Sequence, residues 1–354
     1  MAVRRSAAPL SVLLLLPSLA LASPAAADGG TVQVHEGESI QAAVDAAAPG
    51  TRIHIREGTY TEAVVITKDG IELRGHDAVL EPPADGAPSP CDRSENPAEP
   101  AHLSGICIIG ALEGESVTDP VTDVKVRGLT VRGAAGTGLI ALGTDDLDVR
   151  RNHFVDNGGY GAASFATTGT RFLDNVATGN FEAGFYVGDS PDSNAMVRDN
   201  VSEDNELGFF FRNASHGVAR DNHAVGNCAG ILVLANAPGP ATNWVIEDNA
   251  VIENNRTCTN VPVSGAGIVL LGAQDVHVED NDVEGNRQAD GSLAGGGIHV
   301  LTAFFIPGAT PPSAVLEDND LSGNTPADIV WDSTGELEVD ENSCATSIPA
   351  GLCD

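Results

Sequence analysis

Seven asparagine pairs constrain what this chain can fold into. They are Asn152/Asn157, Asn175/Asn180, Asn200/Asn205, Asn222/Asn227, Asn249/Asn254, Asn281/Asn286 and Asn319/Asn324. Within a pair the offset is always five residues, whereas successive pairs lie 22 to 38 residues apart. A constant internal offset with variable spacing implies a rigid repeated unit whose insertions are confined to loops. That is the signature of a solenoid, in which each unit buries its apolar face only against its neighbours.

The unit reads as short strands. Between Trp244 and Leu271, the runs Val245-Ile246-Glu247, Ala250-Val251-Ile252 and Gly267-Ile268-Val269-Leu270-Leu271 are rich in β-branched residues and are cut by Asn and Gly. Three such strands per coil, stacked in parallel, predict an all-β, single-domain, right-handed parallel β-helix. Each Asn is expected at a bend, in the left-handed backbone conformation, with its amide bonded up and down a ladder of stacked Asn. Helical periodicity is nearly confined to Ser39–Ala47, where Ser39 is a candidate N-cap and Pro49-Gly50 a stop. Ile40, Ala43, Val44 and Ala47 share one face, so this helix is expected to cap the exposed N-terminal end of the stack.

The Asn-punctuated coil resembles the parallel β-helix repeat of the pectate-lyase-like superfamily. Within it, the chain looks closest to the secreted and periplasmic β-helix proteins related to the nitrous-oxide-reductase accessory protein. The resemblance implies the fold and leaves activity open, because that superfamily holds lyases, hydrolases, esterases, epimerases and proteins without known catalysis. Gly58-Thr59-Tyr60-Thr61-Glu62 is similar to a stretch near the start of pectin methylesterases and related β-helices, which implies a scaffold role for Tyr60 and Glu62.

The N-terminus reads as a secretory leader over residues 1–27, with Arg4-Arg5 as its basic end, an apolar run from Val12 to Leu16, and cleavage expected near Ala27. The expected location is therefore extracellular. Residues 28–75 are assigned to the cap helix and first strands, 76–335 to the coils, and 336–354 to a C-terminal cap. A Pro-rich insertion at 82–104 interrupts the coils. In an exported protein the six cysteines predict disulfides. Cys228 and Cys258 follow the second Asn of adjacent coils, Cys91 lies in the insertion near Cys107, and Cys344 and Cys353 close the tail. A net charge of −32 argues against nucleic acid as a partner. No apolar stretch is long enough to span a membrane, and oligomeric state is left open.

The strand that opens with Gly in each coil offers a candidate binding face. Alternation along it places Ile140, Ala163, Tyr186, Phe210, Leu232, Val269, His299 and Val330 in one outward column. The flanking loops 235–243, 256–266, 287–296 and 302–313 either border an open groove or fold over it, with Phe304-Phe305-Ile306 suited to cover. The resemblance implies that substrate would lie along this sheet. Tyr186, Arg212 and Asp189 are the candidate catalytic residues, and Phe210, Leu232 and His299 the candidate substrate-binding residues. The plainer alternative pairs Arg212 with Asp189 or Asp192. Asp174, Asp199, Asp221, Asp248, Asp280 and Asp318 each precede an Asn. They are read as turn-forming residues, with Ca²⁺ bridging the alternative; no other cofactor and no metal site is assigned.

Several catalytic signatures that the resemblance would bring are missing. There is no Asp-Pro-His-Glu of mannuronan epimerases, since Asp119-Pro120 continues as Val121-Thr122, and the motifs of polygalacturonases and pectin methylesterases are absent. Lys125 is the last lysine, the nine His are scattered and Met is scarce, which leaves copper delivery without ligands. The reading taken is a secreted protein that binds extracellular polysaccharide without a recognisable catalytic set. The alternative is a lyase or epimerase acting on a uronic-acid polymer.

Overall fold

A computed structural model describes residues 29–92, 101–114, 116–236, 239–303 and 309–353. The proposed leader and Phe304-Phe305-Ile306 lie outside these residues. The chain winds as a parallel β-helix of three strands per coil. One sheet of eleven parallel strands runs from Val64–Ile66 to Ser347–Ile348. The other two strands of each coil form a second, twenty-stranded sheet. It is continuous because Glu72–Leu80 and Lys125–Arg132 run through the bend and pair on both sides of it. The coil read from sequence is present as Trp244–Glu247, Ala250–Ile252 and Ala266–Leu271.

Two asparagine ladders run from Asn152 and Asn157 to the C-terminal end of the stack. Asn222 is typical. Its Nδ2 donates to Val197 O (2.8 Å) and to Asn249 Oδ1 (3.0 Å), while its Oδ1 accepts from the backbone N (3.1 Å) and Nδ2 (3.0 Å) of Asn200. Each buried amide thus satisfies backbone groups that a bend takes out of the sheet. The first ladder extends one rung beyond the sequence pairs, to Asn342, which accepts from Asn319. The second ends on buried Asp328, which accepts from Asn324 Nδ2 and, through its other oxygen, from Ala345 N, Thr346 N and Thr346 Oγ1.

The bends depart from the expected left-handed Asn. The left-handed residue at the bend is the one before the ladder Asn: Asp174, Asp199, Asp221, Asp248, Asp280 and Asp318 have φ between 53° and 57°. The Asn itself is not in that conformation. It follows the bend and turns its amide inward, while the short polar Asp tolerates the positive φ.

The cap helix spans Ile40–Ala46 and is held at both ends by the following coil. Ser39 Oγ accepts from Ala42 N, and Glu62 accepts from Ser39 Oγ (2.8 Å), Ile40 N (2.7 Å) and Gln41 N (3.0 Å). Lys68 Nζ donates to the carbonyls of Val44, Asp45 and Ala47 at the other end. Tyr60 is buried, and its hydroxyl donates to Arg56 O (2.9 Å). The Gly-x-Tyr-x-Glu stretch therefore anchors the cap. Glu62→Ala is expected to cost about 1–2 kcal/mol in urea unfolding, since it removes three hydrogen bonds and a negative charge at a helix N-terminus. A loss under about 0.3 kcal/mol would show that the cap does not depend on it.

All three predicted disulfides form, Cys91–Cys107, Cys228–Cys258 and Cys344–Cys353, with Cα–Cα separations of 5.7, 6.0 and 5.3 Å. The core is one apolar column along the axis, with Phe185 stacked on Phe209 of the next coil, Phe172 tilted against Phe185 across the core, and Phe211 stacked on Trp244. The tail continues the stack: Glu336–Asp340 pairs with Ser313–Glu317, and Ser347–Ile348 with Ile329–Val330.

Candidate functional site

The eleven-stranded sheet presents the outward column in the predicted register, from Ile140 through Tyr186 and Phe210 to Val330. Inward residues, such as Phe185, Phe209 and Ile231, join the axial core. A second outward column runs Leu142, Phe165, Gly188, Arg212, Leu234, Leu271, Leu301.

Much of this face is covered. Val261, Val263 and Ala294 pack with Leu232, Val269 and Leu271 into an apolar cluster outside the axial core. The covering loop is tied down by Cys228–Cys258, and Cys258 N donates to Ser264 Oγ. Nearer the N-terminus, Cys91 and Leu112 cover Cys107, Ile140 and Leu142. Leu232 and His299 are therefore buried, at 5% and 3% exposure, and line no open groove. The loops bury the sheet there because its outward residues are apolar and gain by leaving water. His299 is enclosed with neither ring nitrogen in a hydrogen bond of ordinary geometry. Burial lowers its pKa to about 4, opposed by the nearby Gly295 backbone.

Between the two covers lies an aromatic gap. The Tyr186 ring packs against Tyr160 and Phe165 (centroids 4.7 Å) and edge-on to Phe210 (5.2 Å). It lies along the strand over Gly188, where a Cβ would fall 2.0 Å from the Tyr186 hydroxyl. Tyr186 is fully buried, while Tyr160, Phe165, Phe210 and Arg212 are partly exposed. Phe181, at 59%, is the most exposed large apolar side chain of the described residues and directly precedes Glu182, the hydrogen-bond partner of Tyr160.

The structure separates Asp189 from the other two candidates. It is exposed at φ 51° and accepts from Asn213 Nδ2 (3.1 Å); Asp192 lies 3.5 Å from His216. Neither forms an ion pair with Arg212 among the described residues. Arg212 instead sits one coil from Gly188, close enough to act on Tyr160. Its Nε is buried without a hydrogen bond.

Sequence reading missed Tyr160, Glu182 and Glu206. Burial pushes the Tyr160 hydroxyl well above its ordinary pKa, reinforced by Glu182, to which it is hydrogen-bonded, and by Tyr186; Arg212 opposes. Glu206, 8% exposed, is raised by burial and then by Glu182, with Asn260 and Arg256 opposing. A signal existed: Glu182 and Glu206 both stand two residues before the Gly that opens the strand, and Glu206 N donates to Glu182 O. Two carboxylates thus stack in adjacent coils. Among the described residues no three His, Cys, Asp or Glu side chains gather into a set that could hold a metal ion.

A profile described as "Right handed beta helix region" matches residues 137–306. No curated protein matches the chain in sequence. The fold is similar to the A-modules of two Azotobacter vinelandii mannuronan C-5 epimerases. AlgE4 aligns with a TM-score of 0.61 and 17% identity over 86% of this chain and 90% of that one. AlgE6 aligns with 0.56 and 16% over 86% and 88%. The catalytic domain of a GH87 alpha-1,3-glucanase, solved with tetrasaccharides, aligns with 0.57 and 12% over 82% of this chain and 54% of that chain. These likenesses establish a right-handed parallel β-helix and no more.

Proposed function

We propose that this chain is an exported protein that binds an extracellular polysaccharide in the gap between the two covers of the eleven-stranded sheet. The carrying observation is the partly exposed platform of Tyr160, Phe165 and Phe210, adjoined by Arg212, with the exposed Phe181 one residue before Glu182. Aromatic faces take the apolar faces of sugar rings, and a guanidinium takes hydroxyl or carboxylate oxygens. Export rests on the leader pattern and the three disulfides. No helix of the described residues is long and apolar enough to cross a membrane. The proteins of similar fold bear names that refer to mannuronan and α-1,3-glucan, which supports a carbohydrate ligand.

Binding is preferred to turnover because the tyrosine that borders the gap is held protonated beside Glu182. A base that removes a proton α to a carboxyl needs the opposite shift. One observation favours catalysis instead: Glu206 is pushed toward the protonated state beside a second carboxylate, as a general acid requires. A glycan array followed by titration tests both readings. Phe181→Ala and Arg212→Ala are expected to weaken binding about tenfold or more each, the loss of one stacking or charge-assisted contact. An array without hits, or titrations that neither variant changes, ends the binding reading. Release of reducing ends or unsaturated uronate that Glu206→Gln abolishes would establish the catalytic one.

A further inference from the structure

The long sheet carries an arginine row that the outer face does not share. Arg74, Arg127 and Arg150 occupy one register on three adjacent strands, about 4.8 Å apart. With Arg151 they bound a hollow of about 280 Å³ floored by Gly75 and Gly128. In a chain of net charge −32 this concentration of guanidinium groups stands apart. Its origin lies in the bend position before the ladder residue. Later coils place Asp there, and it neutralises the preceding arginine, as Arg198–Asp199 and Arg220–Asp221 show at 2.8 Å. Beside the hollow the same position holds Gly128 (φ 67°) and Arg151 (φ 54°). Arg127 and Arg150 therefore lack that neutralising neighbour.

The carboxylates present leave donors over. Asp148, almost fully buried, bridges Arg127 Nη2 (3.1 Å) and Arg150 Nε (2.5 Å) and fixes both groups. Glu72 faces Arg52 (2.8 Å) and lies 3.8 Å from Arg127; Asp174 is 3.7 Å from Arg151. Arg74 is exposed and forms no ion pair among the described residues. Each guanidinium offers five N–H donors in a planar fork suited to carboxylate.

We infer that this hollow binds the carboxylates of a uronic-acid polysaccharide. The inference rests on the proposed function only for the ligand being a polysaccharide, and it uses a different sheet. Guanidinium groups repeated strand by strand match a polymer that repeats its carboxylate residue by residue, and this sheet already holds the Asp148 carboxylate between two guanidinium groups. The net negative charge of the protein acts weakly here, because screening confines surface fields to about 8 Å at physiological salt. No bridging cation is required.

The test is calorimetric titration with a short galacturonate oligomer, in chelator, against a neutral glucan oligomer and single-stranded DNA of similar length. The variant Arg74→Glu/Arg151→Asp keeps a bend residue that six other coils already use, so the fold should hold. It is expected to lose about 10- to 100-fold in affinity, the worth of one or two charge-assisted contacts, with an unchanged thermal midpoint. Arg74→Gln breaks no ion pair and is expected to give about a tenfold loss alone. Phe181→Ala should leave this binding unchanged. The inference is overturned if both arginine variants bind as the parent does, if Phe181→Ala abolishes the binding, if the neutral oligomer binds equally, or if DNA binds more tightly.

Discussion

Asn222→Ala is expected to lower the free energy of unfolding by about 4 kcal/mol, among the largest effects of any single substitution in this chain. The alanine leaves two buried donors without partners, the Asn200 backbone N–H and one Asn200 Nδ2 hydrogen, and takes away the side-chain bond to the Val197 carbonyl. Each orphaned group costs roughly 1–3 kcal/mol. Solvent cannot repair the loss, since Asn200 and Asn222 are at most 2% exposed. Asn222→Asp should be no better, because it restores the acceptor, removes the donor to Val197 O, and buries a charge. Urea unfolding measures the total, and exchange of the Asn200 amide reports the local opening. A cost below about 1 kcal/mol would mean that the ladder follows the fold without stabilising it.

Acid is expected to weaken the protein through His299. Its pKa in the folded chain is about 4, below the ordinary 6.5. Above pH 6.5 neither state is protonated there and the group has no effect. As the pH falls from about 6.5 toward 4, the unfolded chain takes up a proton that the folded chain refuses, so stability is lost across that window. The full loss is about 3 kcal/mol, from 1.36 kcal/mol per unit. His299→Leu removes the titration and two buried nitrogens without a hydrogen bond of ordinary geometry, beside Val269 and Val330 in the same column. The variant should be at least as stable at neutral pH and should lose less stability on acidification. Parallel acid profiles for the two proteins would refute the assignment.

The five-residue Asn offset was legible because it belongs to one bend, strand and bend of contiguous chain. Its consequences extended to the inward and outward columns and to the Cys228–Cys258 pairing, whereas the cap helix was legible from its own periodicity and capping residues. Two details at the bends escaped. The left-handed residue is the Asp, and the Asn is the backbone's partner; sequence shows the pair without saying which member strains. Asn342 was overlooked because no second Asn follows it, the other ladder having already closed on Asp328.

The candidate site was less legible, and the reason is physical. Tyr186 and Arg212 were rightly placed near one another by counting coils, whereas Asp189 turned to Asn213 through its own bend. Tyr160, Glu182 and Glu206 precede their strands at the edge of the sheet, where alternation does not say which way a side chain points. Whether Leu232 and His299 met solvent depended on loops of unequal length reaching across several coils.

The sequence by itself determined the rungs, their spacing and the parity of each strand, because a period of two and a bend every few residues are properties of neighbouring residues. Only the tertiary structure decided which part of the outer sheet is roofed, which ionisable groups meet, and where arginines escape neutralisation. Those outcomes rest on contacts between residues a full coil or more apart, where apolar burial and ion pairing compete and no local pattern records the winner.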